Sequence, residues 1–148
     1  MTKRPKRARM AAAAGVTVAR DRASRTLTLT AQSVDSGELA PELCAEIRAG
    51  ILFAAPLLYR SGKAVMSPPG GDVIGRRRVD SHFYGLKGLG AEIQVSDRFT
   101  FKAPRRFTGN DLFLPEASVT GTAQTLLAAA VAKGTTIIRN AACEPHIE

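Results

Sequence analysis

The sequence predicts a mixed α/β fold built from a repeated unit, on three observations. Gly15 and Gly90 each open a stretch in which polar and apolar residues alternate, and Gly62 and Gly134 each join the end of a helical stretch to a short strand. The step from Gly15 to Gly90 nearly equals the step from Gly62 to Gly134, as an internal duplication requires. A chain of 148 residues with 45% apolar and 23% charged residues is long enough for one domain with a real core.

The elements follow in order. Residues 1 to 14 read as a basic, disordered tail, because five of the positive residues (Lys3, Arg4, Lys6, Arg7, Arg9) fall in the first nine positions. Val16 to Val18 and Thr26 to Thr30 alternate around the polar turn 21 to 25 and predict a hairpin. Pro41 suits a first helical turn; Leu43, Ile47, Ile51 and Leu58 continue an apolar stripe to Ser61 and Gly62, with a kink expected at Pro56. Lys63 to Ser67 predicts a strand, residues 79 to 89 a second helix, and Ala91 to Val95 with Phe99 to Phe101 a second hairpin. Leu112 to Leu114 is a brief strand. Ser118 caps an Ala- and Leu-rich helix to Lys133, and a last strand follows Gly134.

The net charge of +8 suggests an anionic partner, but without the first nine residues the body is only mildly basic. That balance fits an enzyme for phosphorylated substrates better than a nucleic-acid wrapper. Cys44 and Cys143 have no companions at metal-ligand spacing, so neither a metal site nor a disulfide framework is expected, and no cofactor is implied. No apolar run reaches the length of a membrane span or signal peptide, and the expected location is the cytoplasm.

The chemistry concentrates in residues 68 to 82. Pro68-Pro69-Gly70-Gly71 punctuates the strand before it, Asp72 offers a carboxyl group on the loop, and Arg76-Arg77-Arg78 precedes a helix start. Backbone donors at a helix start, with guanidinium forks beside them, favour phosphate or carboxylate. On residue type alone Asp72 also fits a plain turn, the three arginines a solvated face, Arg48 a snorkelling residue and Ser118 a simple N-cap. His82 reads as a packing residue.

Four blocks carry a resemblance: Arg48-Ala49-Gly50; residues 69 to 82; residues 118 to 122; and residues 134 to 142 followed by Glu144-Pro145-His146. In this order they resemble the UDP-N-acetylglucosamine 1-carboxyvinyltransferase family of enolpyruvyl transferases, over residues 15 to 148. The resemblance implies repeated β-α-β-α-β-β units of an inside-out α/β barrel, here an incomplete lobe. It implies transfer of enolpyruvate from phosphoenolpyruvate to the 3-hydroxyl of UDP-N-acetylglucosamine, in peptidoglycan synthesis.

By the same resemblance Asp72, where many members carry cysteine, is the general acid for the methylene carbon of phosphoenolpyruvate. Arg48 and Arg77 are substrate-binding arginines; Arg78, Val79, Asp80 and Ser81 continue the run that cradles the nucleotide end; and Ser118, Val119 and Thr120 approach the diphosphate. Arg78 replaces a frequent proline, Glu116 a frequent lysine, and Ala123-Gln124 a usual Glu-Asn pair. Family members are more than twice this length, so the chain is expected to be a truncated or split form, inactive alone, with a second chain as a possible supplier of the missing lobe. The alternative is a noncatalytic basic α/β module that binds nucleic acid, against which stand the few aromatic residues.

Overall fold

The computed structural model describes residues 5–34, 36–71, 78–104 and 106–147. Five helices and seven strands are found there: α1 (Lys6–Ala13), β1 (Thr17–Asp21), β2 (Thr26–Thr30), α2 (Pro41–Glu46), α3 (Ala54–Ser61), β3 (Lys63–Met66), α4 (Asp80–Gly88), β4 (Glu92–Val95), β5 (Phe99–Lys102), β6 (Asp111–Phe113), α5 (Val119–Ala129) and β7 (Ile137–Arg139). A 3-10 segment, Arg48–Phe53, separates α2 from α3.

The strands form three sheets among the described residues. β1 and β2 make an antiparallel hairpin; β3 and β4 flank β5, both antiparallel to it; and β6 pairs with β7 in parallel. Asp21 closes the first hairpin turn, its carboxylate accepting from the Ala23 amide at 2.9 Å and the Ser24 hydroxyl at 2.6 Å. Leu39, Ile51, Leu58, Met66, Leu86, Leu89 and Phe101 are buried between the helices and the central sheet. Phe83 of α4 meets Phe99 and Phe101 edge-on, with ring centroids 5.0 and 5.7 Å apart.

The unit occurs twice. After α1, Gly15 (φ 95°) donates to the Ala12 carbonyl at 3.1 Å and Val16 to Ala11 at 3.0 Å; after α4, Gly90 (φ 104°) donates to Lys87 at 2.9 Å and Ala91 to Leu86 at 2.9 Å. Each pair of bonds is the same glycine helix stop, made first at Gly15 and again at Gly90. The second joint repeats as well, at Gly62 and Gly134, where both glycines have positive φ. Beyond it, Val65 donates to the Gly37 carbonyl at 2.7 Å as Ile137 does to Asn110 at 2.9 Å.

Two expectations are corrected. Residues 6 to 13 of the expected tail are helical, and Met10 is fully buried. Gly50 makes room for it, since a Cβ there would lie 2.7 Å from Met10 Cε. Charge ties the same helix down: Lys6 Nζ donates to the Glu46 carbonyl at 2.9 Å, and Arg9 Nη1 reaches both Glu46 carboxylate oxygens at 2.8 and 2.6 Å. The second correction concerns the kink expected at Pro56. The helix breaks instead at Ile47, which is extended (φ −154°, ψ 126°), whereas Pro56 lies in the first turn of α3. An amide at that position has little to lose, so proline is tolerated.

Candidate functional site

Three helix starts and one loop converge on Arg48. A cleft of about 410 Å³ is lined by Arg48, Arg78, Glu116 and residues 117 to 120. Next to it, Arg78, Asp80, Ser81, Pro115 and Glu116 border a hollow of about 390 Å³. On the other side of Arg48 a hollow of about 530 Å³ runs past Lys6, Glu46 and Ile47 to Gly71. Arg48 thus stands between the α5 start and the last described residue before Asp72.

Local sequence explains this convergence. Ile47, extended between two helical segments, sends Arg48 out of the stripe that its neighbours bury; Arg48 Nη2 donates to the Arg78 carbonyl at 2.6 Å. The 68 to 71 loop is fastened below: Gly70 donates to the Cys44 carbonyl at 2.9 Å and Gly71 to Ala45 at 3.0 Å. A Cβ on Gly70 would lie 2.0 Å from the Ala45 oxygen, so the approach needs glycine. Ser118 caps α5, its hydroxyl accepting from the Gly121 amide at 3.2 Å. The first α5 amides and the positive end of its dipole therefore open onto the cleft.

Small residues let α4 approach α5. A Cβ on Gly121 would lie 2.8 Å from the Ser81 Cβ, and one on Gly85 would lie 1.9 Å from Thr125 Oγ1. Two polar contacts then tie the helix starts together. The buried Ser81 hydroxyl donates to Glu116 Oε1 at 2.9 Å, and His82 Nε2 lies 3.0 Å from Thr120 Oγ1. Burial pushes the His82 imidazole down to about 4 from its usual 6.5, and the positive charge of Arg48 acts in the same direction. His82 is accordingly neutral near pH 7 and links α4 to α5 as a hydrogen-bonding group, not as a charge.

Of the candidate residues, Arg48, Arg78, Ser118, Val119 and Thr120 line the main cleft, and Asp80 and Ser81 the adjoining hollow. Arg78 Nε and Asp80 Oδ2 are 2.8 Å apart in an exposed pair. Val79 instead packs against the core. Asp72 and Arg77 lie outside the described residues. Sequence reasoning missed Lys6, which reads as part of the tail, and the linking contacts of Ser81 and His82. No local pattern announces them, because the partners lie 35 and 38 residues away. Among the described residues no group of three or more His, Cys, Asp or Glu side chains could hold a metal ion, and no helix is long and apolar enough to cross a membrane.

A basic cleft at a helix start admits many anions, so comparison with known proteins decides the lineage. The family model for EPSP synthase (3-phosphoshikimate 1-carboxyvinyltransferase) matches residues 8–148. The chain belongs to this enolpyruvyl transferase family. It is 52% identical over 126 residues to the UDP-N-acetylglucosamine 1-carboxyvinyltransferase of Bradyrhizobium diazoefficiens, covering 85% of this chain and 29% of that protein. The enzyme of the same name from Treponema denticola is 52% identical over 120 residues, covering 81% and 28%. The chain therefore spans less than a third of the length of these relatives. Among solved structures, the enolpyruvyl transferase NikO from Streptomyces tendae superposes with a TM-score of 0.75 at 22% identity, over 96% of this chain and 33% of that one. EPSP synthase from Acinetobacter baumannii superposes at 0.62 and 20% identity, over 90% and 32%. These two likenesses bear out the repeated α/β fold of the enolpyruvyl transferases.

Proposed function

We propose that the chain forms the part of a UDP-N-acetylglucosamine 1-carboxyvinyltransferase lobe that holds the diphosphate end of the sugar nucleotide and carries the general acid. One observation carries the reading: in a chain about half identical to enzymes of that name, Arg48, Arg78 and the free amides at the α5 start line one cleft. A diphosphate is the ligand such a site suits, because guanidinium forks and helix-start amides each bind phosphate oxygens. Arg77 would supply a further guanidinium. The carboxylate of Glu116 lies among these groups and moderates the positive field, so the binding expected of this chain alone is weak.

Asp72 would donate the proton that the methylene carbon of phosphoenolpyruvate takes up as the sugar 3-hydroxyl, losing its own proton, adds to the neighbouring carbon; the C–O bond to phosphate then breaks as the new methyl group gives up a proton, which restores the double bond. An ordinary aspartate, with a pKa near ~3.9, is ionised at neutral pH, so this role needs a desolvated loop in the complete site. Peptidoglycan synthesis and a cytoplasmic location belong to this reading. So does a second lobe, from further sequence or from another chain, without which the transition state lacks half its contacts. The relatives lend the nucleic-acid alternative no support.

Calorimetric titration with UDP-N-acetylglucosamine tests the proposal. Millimolar-range binding is expected, weakened roughly tenfold, or about 1.4 kcal/mol, in Arg48→Ala and in Arg77→Ala. Asp72→Asn should leave that binding intact and, in a form completed by the second lobe, abolish turnover. A folded chain that takes up no sugar nucleotide, or binds it equally well without Arg48 and Arg77, would refute the proposed cleft; undiminished turnover would remove Asp72 from the mechanism.

A further inference from the structure

Cations and backbone amides are what a phosphate needs around it, yet the cleft at the α5 start is also lined by a carboxylate, that of Glu116. Among the described residues Glu116 is the one acidic side chain lining this cleft, and together with Arg78 it borders the adjoining hollow as well. It therefore stands at the passage between the two.

The carboxylate is held in that place. The buried Ser81 hydroxyl donates to Glu116 Oε1 at 2.9 Å. Ser81 is fixed in turn by the close approach of α4 to α5, where a Cβ on Gly121 would lie 2.8 Å from the Ser81 Cβ. One oxygen of Glu116 is thus anchored to the α4 start, and its negative charge stays beside Arg78 and the first residues of α5. A bare phosphate drawn to the guanidiniums and amides meets that like charge and is held less tightly. A ligand with a hydroxyl next to its phosphate meets an acceptor instead, and a hydroxyl that donates to a carboxylate makes a strong, charge-assisted hydrogen bond. Such a residue selects, because it repels the anion that lacks the donor and binds the one that has it.

We propose that Glu116 is a specificity-determining residue, which accepts from the ribose hydroxyls of a nucleoside diphosphate and so disfavours pyrophosphate and other bare phosphates. The inference rests on the reading of the cleft as a diphosphate site. The position of Glu116 singles out the ribose, since that sugar is bonded directly to the diphosphate. With the diphosphate in the cleft and the base in the adjoining hollow, the ribose lies at the passage between them. The lysine that the resemblance leads one to expect at 116 would bind phosphate itself and make no such distinction.

NMR titration of the full chain and of Glu116→Ala with UDP, 2′,3′-dideoxy-UDP and pyrophosphate is the test. All three ligands carry the diphosphate, and the second differs from the first only by the two hydroxyls. The parent is expected to bind UDP roughly tenfold more tightly than either of the others. Glu116→Ala changes an exposed side chain, so the fold should be kept. This variant should bind pyrophosphate more tightly than the parent does and UDP no more tightly, so that the preference for UDP falls to about threefold or less. Equal binding of UDP and its dideoxy form by the parent overturns the proposal, and so does a preference that Glu116→Ala leaves unchanged. In either case UDP binding that still depends on Arg48 leaves the diphosphate reading standing, whereas a folded chain that takes up none of the three ligands refutes that reading and this inference together.

Discussion

The two hairpins leave the same kind of glycine stop and end up in opposite surroundings. β5 carries Phe99 and Phe101 into a three-ring cluster with Phe83 of α4 and is covered on one edge by β3 and on the other by β4. β2 carries Leu27 and Leu29 at the corresponding positions, and the α1 residue that matches Phe83 when Gly15 is laid on Gly90 is Ala8. All five β2 residues are exposed. A shared backbone therefore does not distribute stability evenly: the second unit holds the aromatic core, and the first supplies α1, α3 and the strand that closes it.

Deleting the ring at Phe101 tests this difference most severely. Phe101→Ala should cost about 3–5 kcal/mol in denaturant unfolding, because it opens a cavity in a filled core; a loss below about 1 kcal/mol would mean that the stability lies elsewhere. Acid offers the next largest effect and also separates the halves, since the α1 counterpart of His82 is the exposed Arg7. His82 binds its proton at about 4 when folded and near 6.5 when unfolded, so below pH 6.5 the unfolded chain takes up the proton first. Stability is fully present above pH 6.5, falls as the pH drops towards 4, and declines in all by roughly 3 kcal/mol. His82→Gln should flatten unfolding curves measured between pH 7 and 4; an unchanged slope would show that His82 is not the group responsible. The smallest change is expected at Leu29→Ala, within about 0.5 kcal/mol when measured dilute, since that side chain is already half in water.

Much of the fold was legible in local chemistry. Both hairpins, the Gly62 joint and the Ser118 cap lie where turn residues and alternation put them, whereas α5 stops at Ala129, short of the expected Lys133, and β7 begins only at Ile137, beyond Gly134. The repeat was legible for the same reason, because positive φ after a helix leaves few choices but glycine. The site was legible in part: Arg48, Arg78 and residues 118 to 120 border one cleft, whereas Val79 turns inward. What escaped were features settled by distant partners. A cluster of basic residues at the chain start looks like a tail until Gly50 leaves a hole for Met10 and Glu46 receives Arg9. Pro56 looks like a kink until the first turn of α3 begins at Ala54.

By itself, then, the sequence determined the hairpins, the glycine stops that reveal the duplication and the residue types of an anion site, because helix stops, caps and strand alternation act over a handful of neighbouring residues. Only the tertiary structure decided which strand lies beside β5, which hairpin is covered and which side chains meet at Arg48. Those outcomes depend on the fit of surfaces far apart in the chain: the hole at Gly50, the close approach at Gly121 and the rings around Phe83. No local pattern encodes such a fit.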